Sequence, residues 1–215
     1  MKNFQKKSIL LLSGGLDSAA LSLELMKKNE KRISLYFDFG NLSSKRGLDA
    51  SRAIAGLTDS RLDVIQAKGL LEAFGSSELA SVDPAPNPGE HVIELGTLLI
   101  LPTALTYAHR MNSDVIYIGY SKLDADASPE YTQKFLNSIS NLSELAGFPK
   151  IKIEAPFISN TKSEVLKKLV DHFDILKQSW SCIYGGKKHC GTCQACLSRK
   201  EAFKDAKLKD PTKYL

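Results

Sequence analysis

Ser8-Ile-Leu-Leu-Leu12-Ser13-Gly14-Gly15-Leu16-Asp17-Ser18 is the stretch from which the rest of the chain is read. Residues 8–12 form a short continuous apolar run, the pattern of a strand buried on both faces. A Gly-Gly turn follows at once, and over 19–28 Leu21, Leu25 and their neighbours recur at helical spacing. A glycine turn feeding a helix N-terminus points its backbone N–H groups at a common spot, which makes a cradle for an anion. Gly14 and Gly15 let the main chain approach a phosphate closely, and Ser13 and Ser18 add hydroxyl donors. Asp17 is oddly placed for anion binding alone and points to a magnesium ion. The lysine of the Walker pattern is absent. The bland alternative is a helix merely capped by Ser and Asp after a tight turn.

Working outward, Ile33-Ser-Leu-Tyr-Phe37, Arg61-Leu-Asp-Val-Ile65, Asp114-Val-Ile-Tyr-Ile-Gly119 and Ile151-Lys-Ile-Glu154 read as further strands. Helical patterns lie between them at 44–57, 98–111 and 129–146, and 161–172 opens with a Thr161/Glu164 capping box. Strands alternating with helices predict an α/β fold, a doubly wound parallel sheet with helices on both faces. Ligands of such sheets sit at the carboxyl ends of the strands. The segment 75–90 (GSSELASVDPAPNPGE) has three prolines and two glycines and no apolar period, so it reads as a long loop that covers an active site or stays disordered.

The chain has 215 residues, enough for a full hydrophobic core at 43% apolar content, and a net charge of +5 that suits a phosphate-bearing substrate without demanding nucleic acid. The apolar run after the basic N-terminus is too short for a signal peptide or a membrane span, and the expected location is cytoplasmic. All four cysteines, Cys182, Cys190, Cys193 and Cys196, lie in a C-x7-C-x2-C-x2-C pattern near the C-terminus. Four thiolates so spaced can close a tetrahedral shell around Zn2+ with no position left open for chemistry, which makes the metal structural. A redox pair at Cys193 and Cys196 and an iron–sulfur cluster are the competitors. His189 adjoins the cluster as a further candidate ligand, although a lone His beside such a turn is commonly solvent-facing. The expected division is an α/β domain over 1–175 and a metal-binding segment over 176–215 packed on it.

Ser13-Gly-Gly-Leu-Asp-Ser18 resembles the S-G-G-x-D-S loop of the ATP pyrophosphatases, or PP-loop proteins, which adenylate a substrate oxygen and release pyrophosphate. Gln178-Ser-Trp-Ser-Cys182, His189-Cys-Gly-Thr-Cys-Gln-Ala-Cys-Leu-Ser-Arg-Lys-Glu-Ala-Phe203 and Asp210-Pro-Thr-Lys-Tyr214 resemble the C-terminal region of the 7-cyano-7-deazaguanine synthases. With Ala155-Pro-Phe157 before Thr161-Lys162, and with 119–124, the resemblance spans essentially the whole chain. It implies an adenine nucleotide alpha hydrolase-like fold with a zinc-bearing C-terminal segment, and a homodimer. It also implies an ATP-dependent ligase: ATP and Mg2+ activate the carboxylate of 7-carboxy-7-deazaguanine, ammonia gives an amide, and a second ATP drives loss of water to a nitrile. Ser13, Gly14, Gly15, Leu16, Asp17, Ser18 and Gly119 then bind the nucleotide, and Asp17, Asp124 and Lys162 are the candidate catalytic residues. A lysine such as Lys162 in the first turn of a capped helix is, without the resemblance, more often a solvated side chain.

Three substrate-facing motifs depart from that family. Phe39-Gly-Asn-Leu-Ser43 stands where it has Y-G-Q-R-H, Glu94-Leu-Gly-Thr97 where it has P-G-R-N, and Ser128-Pro-Glu-Tyr-Thr132 where it has Y-P-D-C-R. An arginine that grips a carboxylate bidentately is not replaced by Gly or Thr without losing that contact. A second reading is therefore a diverged relative that joins the activated deazapurine acid to an amine or a protein partner, since relatives of this family occur in bacterial antiphage defence operons. A third, a tRNA-modifying or nucleic-acid-binding protein using Lys187, Lys188 and the lysines of 204–213, is disfavoured because aromatics do not interleave with the basic residues.

Overall fold

The computed structural model describes residues 7–73 and 96–215; the loop expected at 75–90, and Glu94 and Leu95, lie outside the described residues. Five strands, β1 (Lys7–Leu11), β2 (Lys31–Asp38), β3 (Arg61–Gln66), β4 (Val115–Tyr117) and β5 (Lys152–Glu154), form one sheet in the order β3-β2-β1-β4-β5. Every pairing is parallel. The winding reverses between β1 and β4, and a crevice opens there at the carboxyl ends.

β1 shows why the sheet is covered on both sides. Successive side chains of a strand point to opposite faces. Leu10 and Leu12 enter one core with Leu21, Leu25, Ile54, Leu166 and Phe203, while Ile9 and Leu11 enter another with Leu101, Leu105, Leu136 and Ile153. The first face is built from α1 (Leu16–Lys27), α2 (Ser44–Leu57), α7 (Lys162–Lys167), α8 (Phe173–Gln178) and α9 (Gln194–Ala206). The second is built from α4 (Gly96–Arg110) and α6 (Gln133–Leu145). Two short helices, α3 (Lys68–Ala73) and α5 (Lys122–Ala127), complete the described set.

The doubly wound α/β fold expected from the sequence is the one observed, with differences at particular elements. Helix α1 begins at Leu16 because Gly15 is extended and serves as its N-cap. The stretch 129–146 is a 3-10 turn at Pro129–Tyr131 followed by α6, which starts afresh at the N-cap Thr132. The stretch 161–172 keeps its capping box but remains α-helical only to Lys167. Helix α9 was hidden inside what reads as a Cys- and Lys-rich appendage; its Ala202, Phe203 and Ala206 are buried in the first core. A boundary after residue 175 falls inside α8. Among the described residues, no helix is long and apolar enough to cross a membrane.

Candidate functional site

The turn after β1 is shaped by backbone contact. Gly14 has φ +81, and a Cβ there would lie 2.6 Å from the Gly47 carbonyl oxygen and 2.9 Å from the Ala50 Cβ on α2. At Gly119, after β4, a Cβ would meet the Ser18 amide nitrogen at 2.9 Å and the Asp17 carbonyl carbon at 3.0 Å. Only glycine lets these three segments meet, because the contacts are with main chain that cannot step aside. The Ser13 and Ser18 hydroxyls lie 3.1 Å apart, and the Ser18 hydroxyl donates to the Gly15 carbonyl at 3.1 Å. No side chain caps the start of α1, so its first-turn N–H groups keep their anion-binding capacity.

Asp17 sits in that first turn, and its Oδ2 accepts a hydrogen bond and ion pair from Lys162 Nζ at 3.0 Å. Lys162 is the first residue of α7, held in place by the reciprocal Thr161/Glu164 box, in which the Thr161 N–H donates to Glu164 Oε2 at 2.8 Å. The lysine is turned inward against its commoner solvated state, with 26% of its side chain exposed. Burial pushes the Asp17 carboxyl above its ordinary pKa; Lys162 opposes this and Asp124 adds to it. Burial works to lower the Lys162 ammonium, but Asp17 and then Asp124 outweigh it and the net direction is up. Asp124 itself caps α5, accepting from the Ser121 N–H at 2.8 Å and the Ser121 hydroxyl at 2.7 Å.

These groups border a cavity of about 450 Å3 at the carboxyl edge of the sheet, a volume suited to a small-molecule ligand. Ser13, Gly15, Asp17, Ser18, Gly119 and Asp124 line it. Gly14 and Leu16 are not in its lining: the Gly14 carbonyl accepts from the Trp180 N–H at 2.8 Å, and the Leu16 side chain lies in the core. Lys162 reaches the cavity through Asp17. Phe39, Asn41 and Ser43 of the first departing motif line it too, whereas the sequence does not mark Tyr36, Phe37, Tyr120 and Trp180 as part of the wall. Their signal was faint: aromatic residues at strand ends read as core.

The four cysteine sulfurs all lie within 4.8 Å of one another. That spacing fits one tetrahedral ion with sulfur about 2.3 Å from the metal. Amide donors arm the cluster: the Thr192 and Cys193 N–H groups point at Cys190 Sγ at 3.4 and 3.2 Å, and the Cys190 N–H at Cys182 Sγ at 3.4 Å. Burial works against a Cys190 thiolate, yet these donors outweigh it and bring the thiol down to about 6. His189 is corrected by the structure. It is 5% exposed, not solvent-facing; its ring lies 4.0 Å from that of Trp180, and its Nε2 accepts from the Ser181 N–H at 3.1 Å. It is a wedge behind the cluster, and the metal-ligand grouping among the described residues is the four cysteines alone.

The three departing motifs each carry a structural duty. Asn41 Oδ1 accepts from the Ser44 hydroxyl at 2.6 Å at the start of α2. Buried Glu130 accepts at Oε2 from the Thr97 N–H at 3.1 Å, capping α4, and the Thr97 hydroxyl lies 3.1 Å from that of Tyr120. Thr132 is the N-cap of α6 and accepts from the Phe135 N–H at 3.4 Å.

A family model, "Queuosine biosynthesis protein QueC", matches residues 7–207. The chain belongs to the QueC family. Among curated members, the 7-cyano-7-deazaguanine synthase 1 of Sulfurisphaera tokodaii is 34% identical, with the match covering 97% of this chain and 98% of that one. The 7-cyano-7-deazaguanine synthase of Methanobrevibacter smithii is 31% identical, over 97% of this chain and 98% of its own. Among solved structures, an NMN synthetase from Francisella tularensis superposes with a TM-score of 0.54 at 12% identity, covering 95% of this chain and 78% of that one. That likeness is one of fold alone.

Proposed function

We propose that this chain is an ATP-dependent ligase that activates the carboxylate of a 7-deazaguanine acid and converts it through an amide to a nitrile. The observation that carries the reading is the loop itself. An uncapped helix N-terminus, two hydroxyls and Asp17, itself paired with Lys162, converge on one cavity of about 450 Å3. Family membership supplies the substrate class.

In the first half, a carboxylate oxygen of the acid attacks the α-phosphorus of ATP, the bond to the β,γ-phosphate breaks, and pyrophosphate leaves. The acyl adenylate gives carbon a good leaving group. Ammonia attacks that carbon, AMP departs and a proton is lost, leaving the amide. In the second half the amide oxygen attacks the α-phosphorus of a second ATP, pyrophosphate leaves again, the nitrogen loses a proton to give the imidate, and loss of AMP and a second proton forms the nitrile. The α1 N-terminus, with Ser13 and Ser18, stabilises charge on the phosphates, and Lys162 neutralises charge that grows on the bridging oxygen. Asp17, with Asp124 nearby, would hold the Mg2+ that accompanies ATP; burial disfavours ionisation of the Asp17 carboxyl, and a cation would relieve that. The four cysteines would hold a structural Zn2+. We assign the chain to the cytoplasm from its N-terminal pattern and clustered cysteines, and to a homodimer, as the family resemblance implies.

A second reading has one observation in its favour. The positions where the family pattern has arginines are occupied by Leu42, Gly96 and Thr132, and the last of these is committed to capping. An enzyme so altered joins the adenylate to an amine in place of ammonia. The deciding experiment incubates the protein with ATP, magnesium and 7-carboxy-7-deazaguanine, with and without ammonia, and follows AMP and product mass. AMP with free nitrile is the expected result. AMP with an amine-linked or protein-linked product supports the second reading, and no AMP overturns both.

A further inference from the structure

Residues 179–182 form a strap that leaves α8 at its C-cap Ser179 and belongs to no helix or strand, yet it supplies one wall of the cavity through Trp180, Ser181 and Cys182. Its Trp180 N–H holds the Gly14 carbonyl at 2.8 Å, so the strap's position sets that of the phosphate loop. His189 accepts from the Ser181 N–H, and the side-chain hydroxyls of the strap are held by Arg199, three residues after Cys196 on α9 and only 2% exposed. Its Nη1 donates to the Ser179 hydroxyl at 3.0 Å and the Ser181 hydroxyl at 3.3 Å, and its Nη2 to the Leu176 carbonyl at 3.4 Å. Its Nε faces Asp210 Oδ1 at 3.4 Å, and Tyr214 steadies that carboxylate from its other oxygen at 2.5 Å. A buried arginine present only to neutralise Asp210 needs one carboxylate. Here three of four bonds go to oxygens of the strap and the helix that leads into it, and the planar fork gives them fixed directions.

We propose that Arg199 is a positioning residue for the phosphate loop, and that the folded four-cysteine segment acts on nucleotide binding through the bonds of Arg199 to the strap. The functional half of this inference rests on the nucleotide reading above; the positional half does not.

Hydrogen–deuterium exchange of the zinc-loaded protein tests it. In Arg199→Lys and Arg199→Met, exchange at 13–18 and 179–182 should quicken by about tenfold or more while β1 keeps wild-type protection and zinc content is unchanged. The dissociation constant for ATP should rise by a similar factor. Where Arg199→Met fails to fold, Ser181→Ala removes one acceptor and should quicken the same two segments by a smaller factor. Unchanged exchange there in the folded variants overturns the proposal, as does a uniform rise over the whole chain, which would make Arg199 a core residue only. A wild-type protein that protects the loop yet binds no ATP sinks the nucleotide reading, and exchange still decides the role of Arg199.

Discussion

The two ends of the cavity are built in opposite ways. At the proposed phosphate end the loop is fixed by main-chain contact, Gly14 against α2 and Gly119 against the Asp17–Ser18 backbone, and the side-chain pair Asp17–Lys162 ties α1 to α7. At the acceptor end, Asn41, Thr97, Glu130 and Thr132 occupy positions of family motifs and work on local structure as helix-start contacts and caps. The first end is constrained by geometry that admits one residue type. The second is constrained by hydrogen bonds that several residue types satisfy, so its residues can change without loss of the fold.

The sharpest attempt to break this contrast is Gly14→Ala. The new methyl meets the Gly47 carbonyl and Ala50 at a backbone angle that L residues rarely adopt. Strain and overpacking together should cost about 2–5 kcal/mol and abolish ATP binding. A denaturant melt with an ATP titration reads both, and a variant that binds ATP normally would show that the loop is not fixed as described.

Next comes Lys162→Met, which leaves Asp17 buried without its cation. AMP formation should fall by about 10²-fold with little change in the melting midpoint, because the interaction matters most when charge develops. A fall in stability with normal turnover would make the pair structural. Cys193→Ser should release the metal and lower the melting midpoint steeply, as expected when metal binding is part of folding. The Trp180–Gly14 bond adds that nucleotide affinity falls with it, a link that the spacing of the cysteines alone does not show.

The difference between the two ends also explains what could be read from sequence. The buried run 8–12, the Gly-Gly turn and the Thr161/Glu164 box are local signals whose physics lies within a few residues, and each appears in the structure where the pattern puts it. The inward turn of Lys162 joins residues 145 positions apart, and nothing in either local sequence announces it. The same holds for Trp180, whose place in the wall depends on α9 packing beneath it, and for His189, buried by Trp180 and Tyr214 from either side along the chain. Helix α9 was illegible because its buried face, Cys196, Arg199, Ala202, Phe203 and Ala206, includes a buried arginine and a cysteine, and the charged residues 200, 201, 204 and 205 lie between and around it.

The smallest expected effect is the most discriminating. Thr132 stands where the family pattern has an arginine, and its hydroxyl accepts from the Phe135 N–H as the N-cap of α6. If capping is its whole role, Thr132→Ala should cost about 1 kcal/mol of stability and leave the KM for the deazapurine acid within about twofold, since a shift of 1.4 kcal/mol in binding would be tenfold. Thr132→Arg should lose the same cap and bring no gain in turnover, because Glu130 beside it is already engaged with α4. A large rise in KM for Thr132→Ala at unchanged stability would put the residue in contact with substrate, and a faster Thr132→Arg enzyme would mean that the arginine site survives empty. Either result would move the acceptor end from rebuilt to merely vacated, and the amine-accepting reading would lose the observation that favours it.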